Sequence, residues 1–134
     1  MGSERPDSAS FPKSTRLLNA NDFVRVLRRA RINVASGPLR VRAIANRMRC
    51  ARLGLVVSKR GNALAVRRNR IKRILRETFR HERAQLPPLD LVVQVHGQMT
   101  DDQLRQQFRR LLARVVRENA AAMEDSKGKH ASDE

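Results

Sequence analysis

The sequence contains few of the residues on which many protein classes depend. It has no Trp, no Tyr, four Phe and a single Cys among 134 residues. One Cys cannot form an intramolecular disulfide, so nothing in the sequence points to an oxidising compartment. There is no apolar signal-peptide core, and no run approaches the ~20 apolar residues that span a bilayer. We therefore expect a cytoplasmic protein of one domain that does not enter a membrane.

Acidic residues are also scarce. Against 29 Lys and Arg there are 13 Asp and Glu, which gives a net charge of +16. Residues 14–119 carry +18 of charge, and of their 25 cations only Lys59 and Lys72 are Lys. The planar fork of Arg suits phosphate groups. Disorder is excluded for this segment, because apolar residues recur in it at helix and strand periods. The composition indicates a folded protein that binds nucleic acid or a membrane surface.

Groups that could catalyse a reaction are few and scattered. His81, His96 and His130 form no acid–base pair by local spacing. Asp101 and Asp102 fall in the first turn of a predicted helix, where carboxylates favour the helix dipole. The sequence has no phosphate-binding loop, dinucleotide motif or zinc-ligand spacing. We predict no catalytic residue and no metal ligand in this chain.

Hydrophobic periodicity predicts the element order α-β-β-β-α-β-α, an α+β domain. Asn19 or Asn21 can cap the first helix, and Thr100-x-x-Gln103 is a capping box for the last. The predicted strands cover residues 32–36, 39–45, 53–58 and 89–96. The third strand is apolar on both faces, which favours an inner position, and 46–51 is interpreted as a hairpin loop.

The predicted domain covers residues 14–119. A flexible arm is expected at 1–13 and a disordered tail at 120–134. The periodicity identifies the elements but leaves the order of the strands open.

The helix predicted from residue 65 onwards has one apolar and one cationic side. Its apolar stripe recurs at i, i+3, i+4, i+7 and i+8, as Ile71, Ile74, Leu75, Thr78 and Phe79. The other side is almost wholly cationic. Like charges at i and i+4 destabilise such a helix, and a polyanion would relieve that cost.

The same helix carries a family resemblance. Its residues read Ala65-x-x-Arg68-Asn69-Arg70-x-Lys72-Arg73-x-x-Arg76-Glu77. They closely resemble the signature of the bacterial ribonuclease P protein component, the small basic subunit of the ribonucleoprotein that matures tRNA 5′ ends. The match extends to Leu53-Gly54-Leu55-Val56-Val57-Ser58-Lys59-Arg60 and to Asp22-Phe23-x-x-Val26-Leu27. The resemblance implies a four-stranded mixed sheet packed by helices, with a left-handed crossover through the basic helix.

The resemblance also implies partners and sites. The partners are the catalytic RNA subunit and precursor tRNA, with no obligate protein partner. Catalysis is expected in the RNA subunit, with Mg²⁺ held mainly by that RNA and the substrate. The residues implied in RNA-subunit binding are Arg68, Asn69, Arg70, Lys72, Arg73 and Arg76. Those implied in binding the 5′ leader are Phe23, Leu27, Arg40, Arg42, Lys59 and Arg60.

The chain departs from the family at the leader site. Positions that are often aromatic in relatives are Leu27 and Arg42 here. Phe23 alone is a stacking candidate, and it is equally interpretable as a core residue. Guanidinium stacking or plain charge would then replace aromatic contacts with the leader.

Three other functions are compatible with the charge. The first is a non-catalytic RNA-binding protein of the ribosomal or RNA-chaperone type, which does not explain the whole Arg-Asn-Arg pattern. The second is a self-sufficient nuclease, which the missing acid–base and metal constellations disfavour. The third is a membrane-surface protein, which would need helix faces rich in Trp and Leu.

Overall fold

A computed structural model describes the backbone of residues 18–133 and the side chains of residues 18–123. The arm predicted at 1–13 lies outside the described residues. The helices are α1 (Ala20–Arg29), α2 (Ala65–Glu82) and α3 (Asp101–Asp133), and a 3₁₀ turn (Arg83–Gln85) follows α2. The strands are β1 (Ile32–Ser36), β2 (Leu39–Ala45), β3 (Arg52–Val57) and β4 (Leu89–Val95). The predicted element order is confirmed.

The four strands form one mixed sheet in the order β1-β2-β4-β3. β1 pairs antiparallel with β2, and β2 pairs antiparallel with β4. β3 and β4 are parallel, and α2 is the connection between them. The predicted α+β class with a four-stranded mixed sheet is therefore confirmed. The left-handed crossover stays a prediction.

Two expectations about strand neighbours are wrong. β3 lies at the edge of the sheet rather than inside it. Because β4 lies between β2 and β3, residues 46–51 are a crossing connection and not a hairpin loop. The hairpin is formed instead by β1 and β2, where Ser36 pairs with Leu39 around Gly37. Gly37 has φ 59°, a left-handed conformation that suits the first position of a two-residue hairpin turn.

One side of the sheet carries most of the core, and we call it the α2/α3 face. Side chains of all four strands pack there against both long helices. Phe79 of α2 and Phe108 of α3 are the largest fully buried side chains. The alternation of apolar and polar residues along β2 sends Leu39, Val41 and Ala43 to this face.

The opposite side is the α1 face. Its buried cluster consists of Leu18, Val26 and Val92, with four partly buried apolar neighbours. The alternate residues of β2 on this side are Arg40 and Arg42, so the surface beside α1 is polar. The charged period-two pattern read from the sequence therefore corresponds to one open face of the sheet.

The helix starts agree with the sequence. Asn19 caps α1 and accepts a hydrogen bond from the Asp22 N–H at 2.8 Å. Thr100 and Gln103 form the predicted capping box of α3. A disordered tail was predicted at residues 120–134, but α3 continues as a helix through residues 120–133.

Candidate nucleic-acid interface

The two sides of α2 are as predicted. Its buried residues are Ile71, Ile74, Leu75, Thr78 and Phe79, which is the predicted stripe. On the outer side Asn69, Arg73 and Arg76 are exposed, and Lys72 is half-buried. No acidic residue lies in the first turn of α2. Its outer surface is therefore cationic from the first turn onwards, and the helix dipole adds positive potential at its start.

Arg68 has a structural role that the sequence did not reveal. Its Nη1 donates hydrogen bonds to the carbonyls of Asn62, at 3.0 Å, and Ala63, at 2.7 Å. The Asn62 side chain is buried and donates to the Gly97 carbonyl at 2.8 Å. Arg68 thus fixes the turn that precedes α2, and part of its donor capacity is already used.

Arg70 is also engaged within the protein. Its Nε and Nη2 donate to Oδ2 of Asp101 at 2.9 and 2.6 Å, and Arg67 donates to Oδ1 at 2.9 Å. These hydrogen bonds, from Arg70 first and then Arg67, lower the pKa of Asp101 to about 2. Asp101 therefore connects the start of α3 to the start of α2, in addition to the dipole role expected from its position.

The predicted leader residues of α1 and β2 lie on the α1 face. Leu27 is 37% exposed, and Arg40 and Arg42 are half-buried. Phe23 is half-buried and packs over Gly54: a Cβ added to Gly54 would lie 2.6 Å from Cζ of the ring. Phe23 is thus partly core, and the glycine creates the space that its ring occupies.

Lys59 and Arg60 are exposed on the turn that leaves β3. The Lys59 carbonyl accepts a hydrogen bond from the N–H of Asn62, whose own carbonyl is bonded by Arg68. The turn at residues 59–64 therefore joins the predicted leader surface to the start of α2. The two sets of predicted residues otherwise lie on opposite sides of the sheet.

The sequence prediction missed two polar residues of the α1 face. Gln94 pairs with Arg40 of β2 and Val56 of β3. It therefore lies in the middle of the part of the α1 face that carries Arg40, Arg42 and Gln94, which we call the open strip. Its buried Oε1 has no hydrogen-bond partner, and neither has the buried Oγ of Ser58 or Nε of Arg42. Buried polar atoms are normally satisfied, so these three mark a surface suited to a polar ligand. The signal available in the sequence was a Gln in the mostly apolar strand β4.

A third feature missed from the sequence is a charge cluster centred on Asp90 of β4. The Asp90 side chain is fully buried and accepts hydrogen bonds from Arg25, Arg52 and Asn46. Burial alone would raise the pKa of Asp90. The hydrogen bonds from Arg52 and Asn46, with the charges of Arg52 and Arg25, outweigh it and lower that pKa. An acid inside an apolar strand was the only signal in the sequence.

The sequence model of the Ribonuclease P family matches residues 11–116, which is most of the chain. The chain belongs to the ribonuclease P protein family. This makes it a protein component of ribonuclease P, a ribonucleoprotein of tRNA processing, and the resemblance stated from the sequence is confirmed.

Relatives support the same family along most of their length. The ribonuclease P protein component of Bordetella avium is 43% identical over 94 residues, which cover 68% of this chain and 77% of that protein. That of Pseudomonas aeruginosa is 37% identical over 113 residues, covering 82% and 84%. The RNase P protein structure of Staphylococcus aureus, at 2.0 Å, has a TM-score of 0.68 at 30% identity, covering 77% of this chain and 96% of that one. The Thermotoga maritima RNase P protein has a TM-score of 0.63 at 28% identity, covering 74% and 96%.

No group of three or more His, Cys, Asp or Glu side chains between residues 18 and 123 could hold a metal ion. In the same part of the chain, no helix is long and apolar enough to cross a membrane.

Proposed function

We propose that this chain supports removal of the 5′ leader from precursor tRNA by holding two RNAs on opposite faces of one sheet. The cationic side of α2 binds the catalytic RNA subunit. The open strip of the α1 face binds the single-stranded leader. The catalytic chemistry belongs to the RNA subunit, with Mg²⁺ held mainly by that RNA and the substrate, and we expect the assembly in the cytoplasm.

The observation that carries this proposal is the separation of the two surfaces by the sheet. Arg73 and Arg76 project from α2 on one side, where no ion pair within the described residues engages them. Arg42 and Gln94 lie on the other side and present buried polar atoms without partners. Each surface can therefore bind its own RNA while the other surface is occupied.

The chemistry of the open strip fits a single strand better than a duplex. α1 covers the neighbouring part of the same sheet face. The open strip offers guanidinium planes from Arg40 and Arg42, the amide of Gln94 and the partly buried ring of Phe23. Unpaired bases can stack on such planes and expose edges for hydrogen bonds, which paired bases cannot do.

The decisive experiment substitutes residues of each surface separately and measures the binding of tRNA and of the catalytic RNA for each variant. Arg42→Ala and Lys59→Ala should weaken binding of leader-bearing tRNA while binding of mature tRNA and assembly with the catalytic RNA change little. Arg73→Ala and Arg76→Ala should weaken assembly with the catalytic RNA, while the difference in affinity between leader-bearing and mature tRNA changes little. Arg110→Ala is a matched control, since Arg110 is an exposed arginine on α3 outside both surfaces. Equal losses for leader-bearing and mature tRNA in the first pair would contradict the assignment of the leader to the α1 face.

Salt dependence gives an independent test of the phosphate contacts. Each phosphate neutralised steepens the slope of log K against log salt by roughly 0.7 to 0.9. Replacing Arg73 or Arg76 should lower that slope for the catalytic RNA by about one such increment, because each contributes one cation. An unchanged slope would remove that residue from the phosphate contacts.

A further inference from the structure

Helix α1 is attached to the sheet by few apolar contacts. The buried cluster beneath it contains three residues, of which Val26 is the member from α1 itself. Phe23 and Ala30 add partly buried surface. Because hydrophobic stabilisation scales with the apolar area removed from water, this contact holds α1 weakly compared with the two long helices.

Backbone N–H groups of the flanking residues Leu18 and Arg31 donate to the carbonyls of Leu53 and Ala43 on the sheet. The attachment of α1 itself is otherwise ionic and is centred on Asp90. Its Oδ1 accepts hydrogen bonds from Nδ2 of Asn46 at 2.8 Å and from Nε of Arg52 at 2.9 Å. Its Oδ2 accepts from Nη2 of Arg52 at 2.8 Å and from Nη2 of Arg25. Both oxygens of this buried carboxylate are therefore used, each by two donors, so its geometry is fully specified.

The network reaches α1 through two residues. Arg25 pairs with Asp90, and Asp22 pairs with Arg52 at 3.3 Å, so a positive and a negative group of α1 are bound to groups of opposite sign on the sheet. Asp22 and Arg25 lie three residues apart, on the same side of the helix. Two such connections fix both the position of α1 along the sheet and its rotation about its own axis.

The rotation of α1 determines where its side chains lie beside the open strip. Phe23 follows Asp22 directly, and its ring lies over Gly54. Leu27 lies one turn further along the same helix and is partly exposed. If α1 turned or slid, both side chains would move relative to Arg42 and Gln94, which the sheet holds in place.

We propose that Asp90 is a positioning residue for leader binding. Through Arg25 and Arg52 it holds α1 in the orientation that places Phe23 and Leu27 beside the open strip. This inference rests on the proposed leader function of the α1 face. Buried ion pairs contribute little net stability but can specify a unique geometry, which is the role assigned here. Arg25 and Arg52 are thereby removed from the set of RNA-binding cations, since their charges face Asp90 and Asp22.

The test is Asp90→Asn in the full chain, reconstituted with the catalytic RNA. Asn has nearly the same size as Asp but carries no charge, so Arg25 and Arg52 lose their pairing with the buried carboxylate and keep only Asp22 as an ion partner. We expect the Kd for leader-bearing tRNA to rise about tenfold, while that for mature tRNA changes by less than about twofold. In turnover, KM should rise with kcat nearly unchanged, because the leader contact contributes to substrate binding.

Hydrogen exchange provides the structural readout. In Asp90→Asn the amides of α1 should exchange faster while those of α2 and α3 keep their protection, because α1 is the one helix of the three whose residues pair with the network. Asp101→Asn is the matched control: it also removes the charge of an Asp paired with two arginines, but on the α2/α3 face. Its ratio of leader-bearing to mature tRNA affinity should equal that of the wild type.

The outcomes separate the two proposals. If the wild type binds leader-bearing and mature tRNA equally, the proposed leader function itself fails. If the wild type discriminates and Asp90→Asn retains that discrimination, only the positioning role is overturned. Should Asp90→Asn fail to fold, Arg25→Gln replaces it, because the Arg25 side chain is 35% exposed and its loss breaks one connection alone. An Arg25→Gln protein with wild-type discrimination and wild-type α1 exchange would equally overturn the proposal.

Discussion

The two faces of the sheet are built on different principles. The α2/α3 face buries a cluster of 22 residues, whereas the cluster under α1 has three, counted within the described part of the chain. Where the first face is filled with aliphatic and Phe side chains, the second combines a small apolar patch with a charge network and polar atoms without partners. The comparison shows one face that buries most of the apolar core and one that keeps polar groups on the sheet.

This division explains how a small domain with little aromatic content can expose so much polar sheet surface. Apolar burial on a single face supplies most of the favourable free energy of folding. The strands need not be apolar on both sides, so arginines can occupy alternate positions of β2. Substitutions that act on one face alone can test the comparison.

The largest effect is expected in the main core. Phe108→Ala removes a fully buried ring from the α2/α3 face and should cost about 3–5 kcal/mol of unfolding free energy. Val26→Ala, which is also fully buried but under α1, should cost about 2 kcal/mol. Urea unfolding followed by circular dichroism measures both. A larger loss for Val26→Ala than for Phe108→Ala would reverse the ranking of the two faces.

A smaller effect is expected from Gly54→Ala. The new Cβ would lie 2.6 Å from Cζ of Phe23 and 3.1 Å from Cδ1 of Leu18, so the ring must move. Such overpacking should cost about 1–3 kcal/mol. In the double variant Phe23→Ala/Gly54→Ala the two losses should be less than additive, because the clash disappears with the ring. Strict additivity in urea unfolding would show that Phe23 and Gly54 do not constrain each other.

The sequence predicted the α2/α3 face well, because its apolar residues follow clear periods. The stripe of α2 and the alternation of β2 came directly from those periods. The position of β3 was predicted wrongly for a physical reason. An edge strand is apolar on both sides here because α2 covers one side and α1 covers the other, so apolarity does not report the number of paired neighbours.

The α1 face was less predictable, because its charge network joins residues that are distant in the sequence. Asp90 is paired with Arg25 and Arg52, which precede it by 65 and 38 positions in the sequence. No local pattern predicts such a network. Likewise, Arg68 and Arg70 look identical to Arg73 in the sequence. Only the fold shows that Arg68 bonds a turn and Arg70 bonds Asp101.

That distinction among the arginines of α2 leads to a third, still smaller effect. Arg70→Ala should lower the melting temperature slightly, because it removes a largely exposed ion pair with Asp101, whereas Arg73→Ala should leave it nearly unchanged. Thermal unfolding at low salt measures both. Identical melting temperatures for the two variants would mean that the pair between α2 and α3 adds nothing.

The smallest effect concerns pH. The pKa of Asp101 is lowered to about 2 from an ordinary 3.8, so its pairing stabilises the folded state above about pH 4 and is lost as the pH falls through 2. The difference in unfolding free energy between the wild type and Asp101→Asn should therefore be greatest above pH 4 and shrink towards pH 2. A difference that does not vary with pH would show that the pairing does not depend on ionised Asp101.

The placement of two proposed RNA surfaces on opposite sides of one thin sheet has a consequence for selection between substrate and product. A precursor that engages the catalytic RNA and the α1 face together is bound at two points, and the second contact forms at a high effective concentration. Cleavage of the leader would divide these points between two molecules. Each product would then be held by one contact, and the avidity that favours the precursor would end with the reaction.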